Sequence, residues 1–238
     1  CFATRPQKME VVAPPAPPLA PPPMAPPMAP PPLMPPAPHV RPLPTLLHRQ
    51  LVRLSELAEP SAAAQEMRHA AIARVSRLVH CALGQHVSTM HLFGSSNTGL
   101  LLPTSDIDIT VSAPGAKHPL QVLTLLQWIH DLAEEECLPE LTLVSGAKVP
   151  IVTFIEDRSG LGVDVNVNSP NALATSAEVR SALAQIPQLR PLMLALKLAL
   201  AQASLNKPRH GGVGSFLLFA MVRKALEVIL PPWLRGTN

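Results

Sequence analysis

The hexapeptide Asp106-Ile107-Asp108-Ile109-Thr110-Val111 sets the tightest limit on what this chain can fold into. Polar and apolar residues alternate along it, which is the period of a strand with one buried face. Residues two apart leave a strand on the same side, so Asp106 and Asp108 carry their carboxylates off one face of a sheet. Neighbouring carboxylates repel each other, and a positive charge between them relieves the repulsion. Hard oxygen donors of this kind suit magnesium. A calcium loop would need Asp or Asn at the fifth position with Gly following; Thr110 and Val111 stand there instead, and the alternation argues for a strand.

Upstream, Phe93-Gly94-Ser95-Ser96 reads as a strand end running into a tight turn or short helix. Gly94 lets a ligand approach the backbone, and the following N–H groups and the Ser95 hydroxyl can hold an anion. Further on, Leu161-Gly-Val-Asp-Val-Asn-Val-Asn168 alternates again. Val163, Val165 and Val167 face one side of that strand, and Asp164, Asn166 and Asn168 face the other. Pairing it with the first strand brings Asp164 to the carboxylate pair. An anion cradle beside a metal-binding carboxylate cluster is the equipment of nucleotidyl transfer.

The rest of the chain divides by composition. Residues 11–44 form a Pro/Ala/Met/Leu tract with almost no charge, part of a total of 30 prolines in 238 residues. Proline removes donors and fixes φ, so residues 1–44 are expected to be a disordered, polyproline-II-biased linker, with a spacer role favoured over an SH3 or WW ligand. Roughly 190 residues remain, enough for one large or two small domains. No apolar run approaches the ~20 residues of a membrane helix, and the N-terminus lacks the apolar core of a signal peptide. Cys1, Cys81 and Cys137 are odd in number and widely spaced, which argues against a disulfide framework or a zinc site. Net charge is only +3, but from Arg180 onward the basic residues face a single acid, Glu227. Such a lobe suits a polyanion.

Helical spacing predicts helices over Thr45–Leu57 and, capped by Ser61, over Ala62–Leu83, with Met67, Ala71, Val75, Leu78 and Ala82 on the apolar side. Pro119 opens a helix from Leu120 to about Glu136, with Trp128 expected in the core and His130 at the surface. Short strands are expected at Leu141–Val144 and Val149–Ile155. From Asn171 the pattern is helical. Lys197 lies on an apolar helix, Leu189 to about Ala203, where an ammonium needs an anion nearby. A basic, glycine-rich turn containing Lys207, Arg209 and His210 leads into a last helix from Ser215 to about Leu230.

Gly94-Ser95, the gap that follows and Asp106-Ile-Asp108 resemble the DNA polymerase beta-like nucleotidyltransferase superfamily. Thr98-Gly-Leu-Leu-Leu-Pro-Thr-Ser-Asp-Ile-Asp108 is more closely similar to one branch, the noncanonical poly(A) RNA polymerases of nuclear RNA surveillance, the topoisomerase-related type. The resemblance runs from about Leu46 to the end. It implies an α+β fold, with a catalytic nucleotidyltransferase domain on a mixed, antiparallel-rich sheet over residues 61–169 and a partial helical domain over 170–238, to which the helix at 45–60 belongs. It implies a template-independent enzyme adding adenylate from ATP to an RNA 3′ end by a two-metal mechanism. Asp106, Asp108 and Asp164 would be both catalytic and metal-binding, with Mg2+ as the ion and Mn2+ as its substitute. Gly94, Ser95, Lys197 and Ser215 would hold the triphosphate. Asn171, with Asn168 as the nearby alternative, would contact the ribose, and Phe216 would stack on the base.

Two departures from the family pattern are Ala172 for a glycine and Phe216 for a tyrosine, which keeps the stacking face and loses the hydroxyl. The resemblance further implies a zinc-knuckle RNA-binding protein and a helicase as partners, no membrane, and a nuclear location with the cytoplasm as alternative. Cys1 at the start and a stop ahead of the family's base-recognition loop lead to the expectation of a fragment, poorly soluble, nearly inactive and unselective between ATP and UTP. The alternative functions are a terminal uridylyltransferase and a catalytically silent RNA- or protein-binding fragment.

Overall fold

The computed structural model of the protein describes residues 46–208 and 211–229. The proline-rich tract, Arg209, His210 and Arg235 lie outside them. In chain order the elements are α1 (Leu46–Leu57), α2 (Ala62–Leu83), β1 (Thr89–Leu92), α3 (Ser95–Thr98), β2 (Ile107–Ser112), α4 (Pro119–Glu135), β3 (Thr142–Val144), β4 (Ile151–Glu156), β5 (Leu161–Val167), α5 (Pro170–Gln185), α6 (Leu189–Gln202) and α7 (Ser215–Ile229). The architecture is α+β, as the periodicities require. Ser61 caps α2 by accepting from the Ala64 N–H, and Pro119 occupies the first turn of α4.

The five strands form one sheet in the order β1-β2-β5-β4-β3. Neighbours run antiparallel except β2 and β5, which are parallel and centrally placed. Ile107, Ile109 and Val111 from β2 and Val163 and Val165 from β5 form the dry face of the sheet. They pack against Ala71, Val75 and Val79 of α2 and Leu126 and Ile129 of α4. Each such aliphatic side chain, fully buried, contributes about 1.5–3 kcal/mol. The opposite face is left for the polar residues of the same strands.

A second core joins α5, α6 and α7 through Val179, Leu189, Met193, Leu194 and Phe219. Leu100 and Leu102, from the segment between α3 and β2, enter it. Helix α1 packs on α6, with Ala58 in this core and Arg190 donating to Glu59 at 2.7 Å. The first helix in sequence therefore sits with the last ones in space.

Three expectations change. Met67 is 40% exposed, and the neighbouring Arg68 takes the buried position at 4%. The inward stripe of α2 thus runs Arg68, Ala71, Val75, Leu78, one residue round from the position given to Met67. Trp128 is not a core residue: it is 40% exposed, because the buried stripe of α4 is Leu125, Leu126, Ile129 and Ala133. Its indole lies instead against the His86 ring, with centroids 5.4 Å apart. His130, expected at the surface, is half-buried.

The β4–β5 hairpin is fixed to α2 by a bidentate ion pair, Arg74 Nε to Glu156 Oε1 at 2.6 Å and Arg74 Nη2 to Glu156 Oε2 at 2.8 Å. The Ser159 N–H and hydroxyl also donate to Glu156, at 2.9 and 2.5 Å. These donors, Arg74 foremost, hold the Glu156 carboxyl down at about 2 from an ordinary value of 4.5. A depressed carboxylate stabilises the fold above its unfolded value, and that contribution fades as pH falls through the folded value. Glu156→Gln should therefore lower the melting temperature by several degrees at neutral pH. The two proteins should converge as the pH is taken down toward about 2; a constant gap over that range would assign the loss to something other than this carboxylate.

Candidate active site

The site grows from the pairing of β2 with β5. Their parallel register sets Asp108 directly opposite Asp164, and Ile107 opposite Val163. Side chains alternate across a strand, so both carboxylates leave the face turned away from α2 and α4. Asp106 lies just ahead of β2, beside Gly162. The structure thus brings Asp106, Asp108 and Asp164 to one face.

Gly94 and Gly162 make room for them. A Cβ on Gly94 would overlap the Asp108 carboxylate, and a Cβ on Gly162 would overlap that of Asp106. Gly94 has φ +59°, which turns the chain from β1 into α3, and the Phe93 N–H donates to the Asp108 carbonyl at 3.1 Å. The sequence suggested that Gly94 admits a ligand to the backbone. In the structure its N–H donates to Ser176 Oγ of α5 at 3.1 Å, and its missing side chain accommodates Asp108.

The carboxylates are poorly compensated. Burial, with the charges of Asp164 and Asp106 behind it, pushes Asp108 up to about 7 from 3.8. Asp106 is raised too, by burial and then by Asp164, against the pull of Lys207, Arg68 and Lys197. Among the described residues no ion pair engages any of the three. Lys197 Nζ donates to the Leu100 carbonyl at 2.7 Å. Burial brings its pKa down to about 8, opposed by Asp108 and Asp106, so it remains mostly protonated at neutral pH. Three hard oxygen donors, crowded and unpaired, fit a divalent cation of the magnesium class.

Ser95, Lys197, Ser215 and Phe216 line one cleft beside Gly94, where α3, α5, α6 and α7 meet. Phe216 is 46% exposed, its ring tilted against the buried Phe219 with centroids 5.8 Å apart. An aromatic face open to a cleft is available for stacking. Asn168 does not join this group. It has φ +53°, and its side-chain amide donates to the carbonyls of Ala113 and Ala116 and accepts from the Ala113 N–H, at 2.7 to 2.9 Å. Its amide fastens the end of β5 to the loop after β2. Asn171 is exposed in the first turn of α5.

Several residues at the site were not legible in the sequence. Ser176 and Arg180 of α5 reach across to the turn at α3, Ser176 by accepting from Gly94 and Arg180 by donating to the carbonyl and side-chain oxygens of Asn97. Arg68 supports the Pro103–Asp106 segment. Elsewhere, His130, Asp131 and Glu134 of α4 bring a ring nitrogen and carboxylate oxygens within 4.8 Å of one another. That helix covers the apolar face of the sheet, away from the carboxylate cluster. Cys81 and Cys137 are free and exposed.

Residues 47–180 match the family described as the central palm domain of mitochondrial-like poly(A) RNA polymerases. The chain belongs to this family. Poly(A) RNA polymerase cid14 of Schizosaccharomyces pombe is 28% identical over 79% of this chain and 27% of its own length. Poly(A) RNA polymerase protein 2 of Saccharomyces cerevisiae is 34% identical over 58% of this chain and 24% of its own. The polymerase core of TRAMP, an RNA surveillance complex, superposes with a TM-score of 0.65 at 29% identity, over 78% of this chain and 56% of that one. This chain therefore spans about a quarter of those two curated relatives and little more than half of the solved core. A Drosophila melanogaster relative, Trf4-2, is 33% identical over 59% of this chain and 34% of its own length, and is named an inactive noncanonical poly(A) RNA polymerase. Membership alone does not decide activity; the site residues must.

The raised carboxyl gives a direct check. An acid whose pKa is raised by folding stabilises the fold below its unfolded value, and that stability is lost as pH rises through the folded value, here about 7 for Asp108. Each unit of displacement corresponds to about 1.4 kcal/mol. Metal-free Asp108→Asn should melt several degrees above the parent at about pH 8 and close to it at about pH 4. Equal melting temperatures at both would mean that the carboxylates are not crowded in solution.

Proposed function

We propose that this chain is the catalytic part of a template-independent RNA 3′-terminal nucleotidyltransferase that adds adenylate from ATP. The observation that carries the reading is the crowded carboxylate trio, engaged by no ion pair among the described residues, set beside a cleft that gathers a lysine, two serines and an open aromatic ring. In this reading residues 61–169 are the catalytic domain, and residues 45–60 and 170–238 belong to the helical lobe that closes the cleft. The packing of α1 on α6 supports that grouping.

Asp106 and Asp108 would hold both divalent ions of a two-metal site, with Asp164 joining one of them, the ions being Mg2+ with Mn2+ as substitute. When bound, the ions would supply charge neutralisation and activation of the attacking hydroxyl. Lys197 presents a protonated ammonium to the triphosphate, in a buried setting where an anion strengthens its hold on the proton. Ser95 and Ser215 offer hydroxyl donors from the starts of α3 and α7. Phe216 stacks on the base, and Asn171 contacts the ribose. Catalysis of this kind is chiefly preorganised charge and positioning.

The likeness to the polymerase core of TRAMP, an RNA surveillance complex, supports a role in RNA surveillance. Adenylate as the added nucleotide, a nuclear location, and a zinc-knuckle RNA-binding protein and a helicase as companions are the parts of the proposal that rest on the sequence resemblance. The poly(U) polymerase Cid1 shares the fold, with a TM-score of 0.62 at 20% identity over 75% of this chain and 55% of that one. That likeness is one of fold; uridylate transfer, the alternative left open by the sequence resemblance, is the competing specificity.

Labelled ATP and UTP, offered separately with an oligo(A) primer and Mg2+ to the intact protein, test the reading. Adenylate should be added in preference to uridylate, and Asp106→Ala, Asp108→Ala and Asp164→Ala should each reduce addition by several orders of magnitude without unfolding the protein. Near-normal addition by any one of them removes that residue from the site. Phe216→Ala should weaken nucleotide binding by about 1–3 kcal/mol, seen as a raised KM, while Phe216→Tyr is tolerated. Because the ring is 46% exposed, the melting temperature should hardly move; a large fall with unchanged KM would make Phe216 a packing residue instead.

A further inference from the structure

Arg68 is 4% exposed, although arginine is rarely buried without a partner. Its partners are three backbone carbonyls on one short stretch. Nη1 donates to the Asp106 carbonyl at 3.3 Å, and Nη2 donates to those of Pro103 at 3.3 Å and Ser105 at 2.5 Å. Within that stretch the Ser105 N–H donates to the Leu102 carbonyl, and the Leu102 N–H to Ser105 Oγ, both at 3.0 Å. The result is a closed turn, held from below by the guanidinium, that delivers the chain to Asp106.

The choice of acceptors is informative. A guanidinium this close to Asp106 and Asp108 feels their charges, yet among the described residues it makes no ion pair with either carboxylate. Had it paired with them, it would compete with a cation for the same oxygens. Bonded to carbonyls, it fixes the main chain and leaves the carboxylates free. A rigid, planar fork can serve several acceptors at once; the single ammonium of lysine cannot reproduce that geometry.

We propose that Arg68 is a positioning residue of the nucleotidyl-transfer site, clamping the Pro103–Asp106 turn so that Asp106 is preset beside Asp108 and Asp164 to receive the divalent ion. This rests on the three carboxylates being the ion site. Groups that orient metal ligands from behind contribute about 10- to 100-fold to metal affinity.

The test measures binding of Mn2+ alone to the intact protein by electron paramagnetic resonance, with melting temperature and the kcat and KM for ATP on the same samples. Arg68→Met should weaken Mn2+ binding about 10- to 100-fold and lower kcat, with little change in KM for ATP. Arg68→Lys, which keeps the charge and a donor, should fall between it and the parent and guards against a misfolded first variant. Glu156→Gln, placed in the β4–β5 hairpin, should lose melting temperature and keep its Mn2+ affinity, which is the signature of a structural role. Parental Mn2+ affinity in both Arg68 variants, with Asp106→Asn impaired, would overturn the proposal and leave the ion site standing. Parental affinity in Asp106→Asn as well would overturn both.

Discussion

The structure depends on one crowded interaction, the approach of three carboxylates on the polar face of a sheet whose other face is dry. Burial and mutual repulsion make that cluster unfavourable in the metal-free chain, as the displacement of Asp108 toward neutrality records. Among the described residues, the cluster is held together by means that involve no ion pair to the carboxylates. Parallel β2 and β5 lock Asp108 against Asp164, and their apolar residues, packed under α2 and α4, prevent a slip of register. A slip by one residue would send the carboxylates into the core, so the dry face enforces the wet one.

The cations around the cluster are arranged in keeping with this. Arg68 and Lys197 both lie within electrostatic reach of Asp106 and Asp108, and both direct their donors to backbone carbonyls. Positive charge is thus supplied to the neighbourhood without closing the carboxylate oxygens. Lys197 ties the segment carrying Leu100 to α6, while Ser176 and Arg180 tie α3 to α5. The sheet and the helical lobe are therefore joined at the very turn that borders the cleft. Ser176, by accepting from the Gly94 N–H, ties α5 to the turn between β1 and α3.

Much of this was legible in the sequence because it rests on local periodicity. The alternation in Asp106–Val111 and Leu161–Asn168 marks β2 and β5, and a common polar face follows from it. The bounds of α2 follow from Ser61 and the helical spacing after it. What was not legible depends on neighbours distant in the chain. An arginine one position round a helix from a methionine reads as the solvent side, until the carbonyls of Pro103, Ser105 and Asp106 arrive to bond it. Trp128 reads as core because it is large and apolar, yet the inward stripe of α4 passes it by. Asn168 continues the polar alternation but leaves the strand at positive φ and turns its amide to Ala113 and Ala116.

The family likeness supplies the fold, and the residues supply the argument for chemistry, a distinction made necessary by a relative named inactive. The central claim is that the carboxylate face of β2 and β5 is the ion site. Anomalous diffraction from crystals of the protein soaked in Mn2+ tests it most directly. The account predicts manganese density among the carboxylates of Asp106, Asp108 and Asp164. Density confined to His130, Asp131 and Glu134 of α4, or none at the sheet, would contradict it.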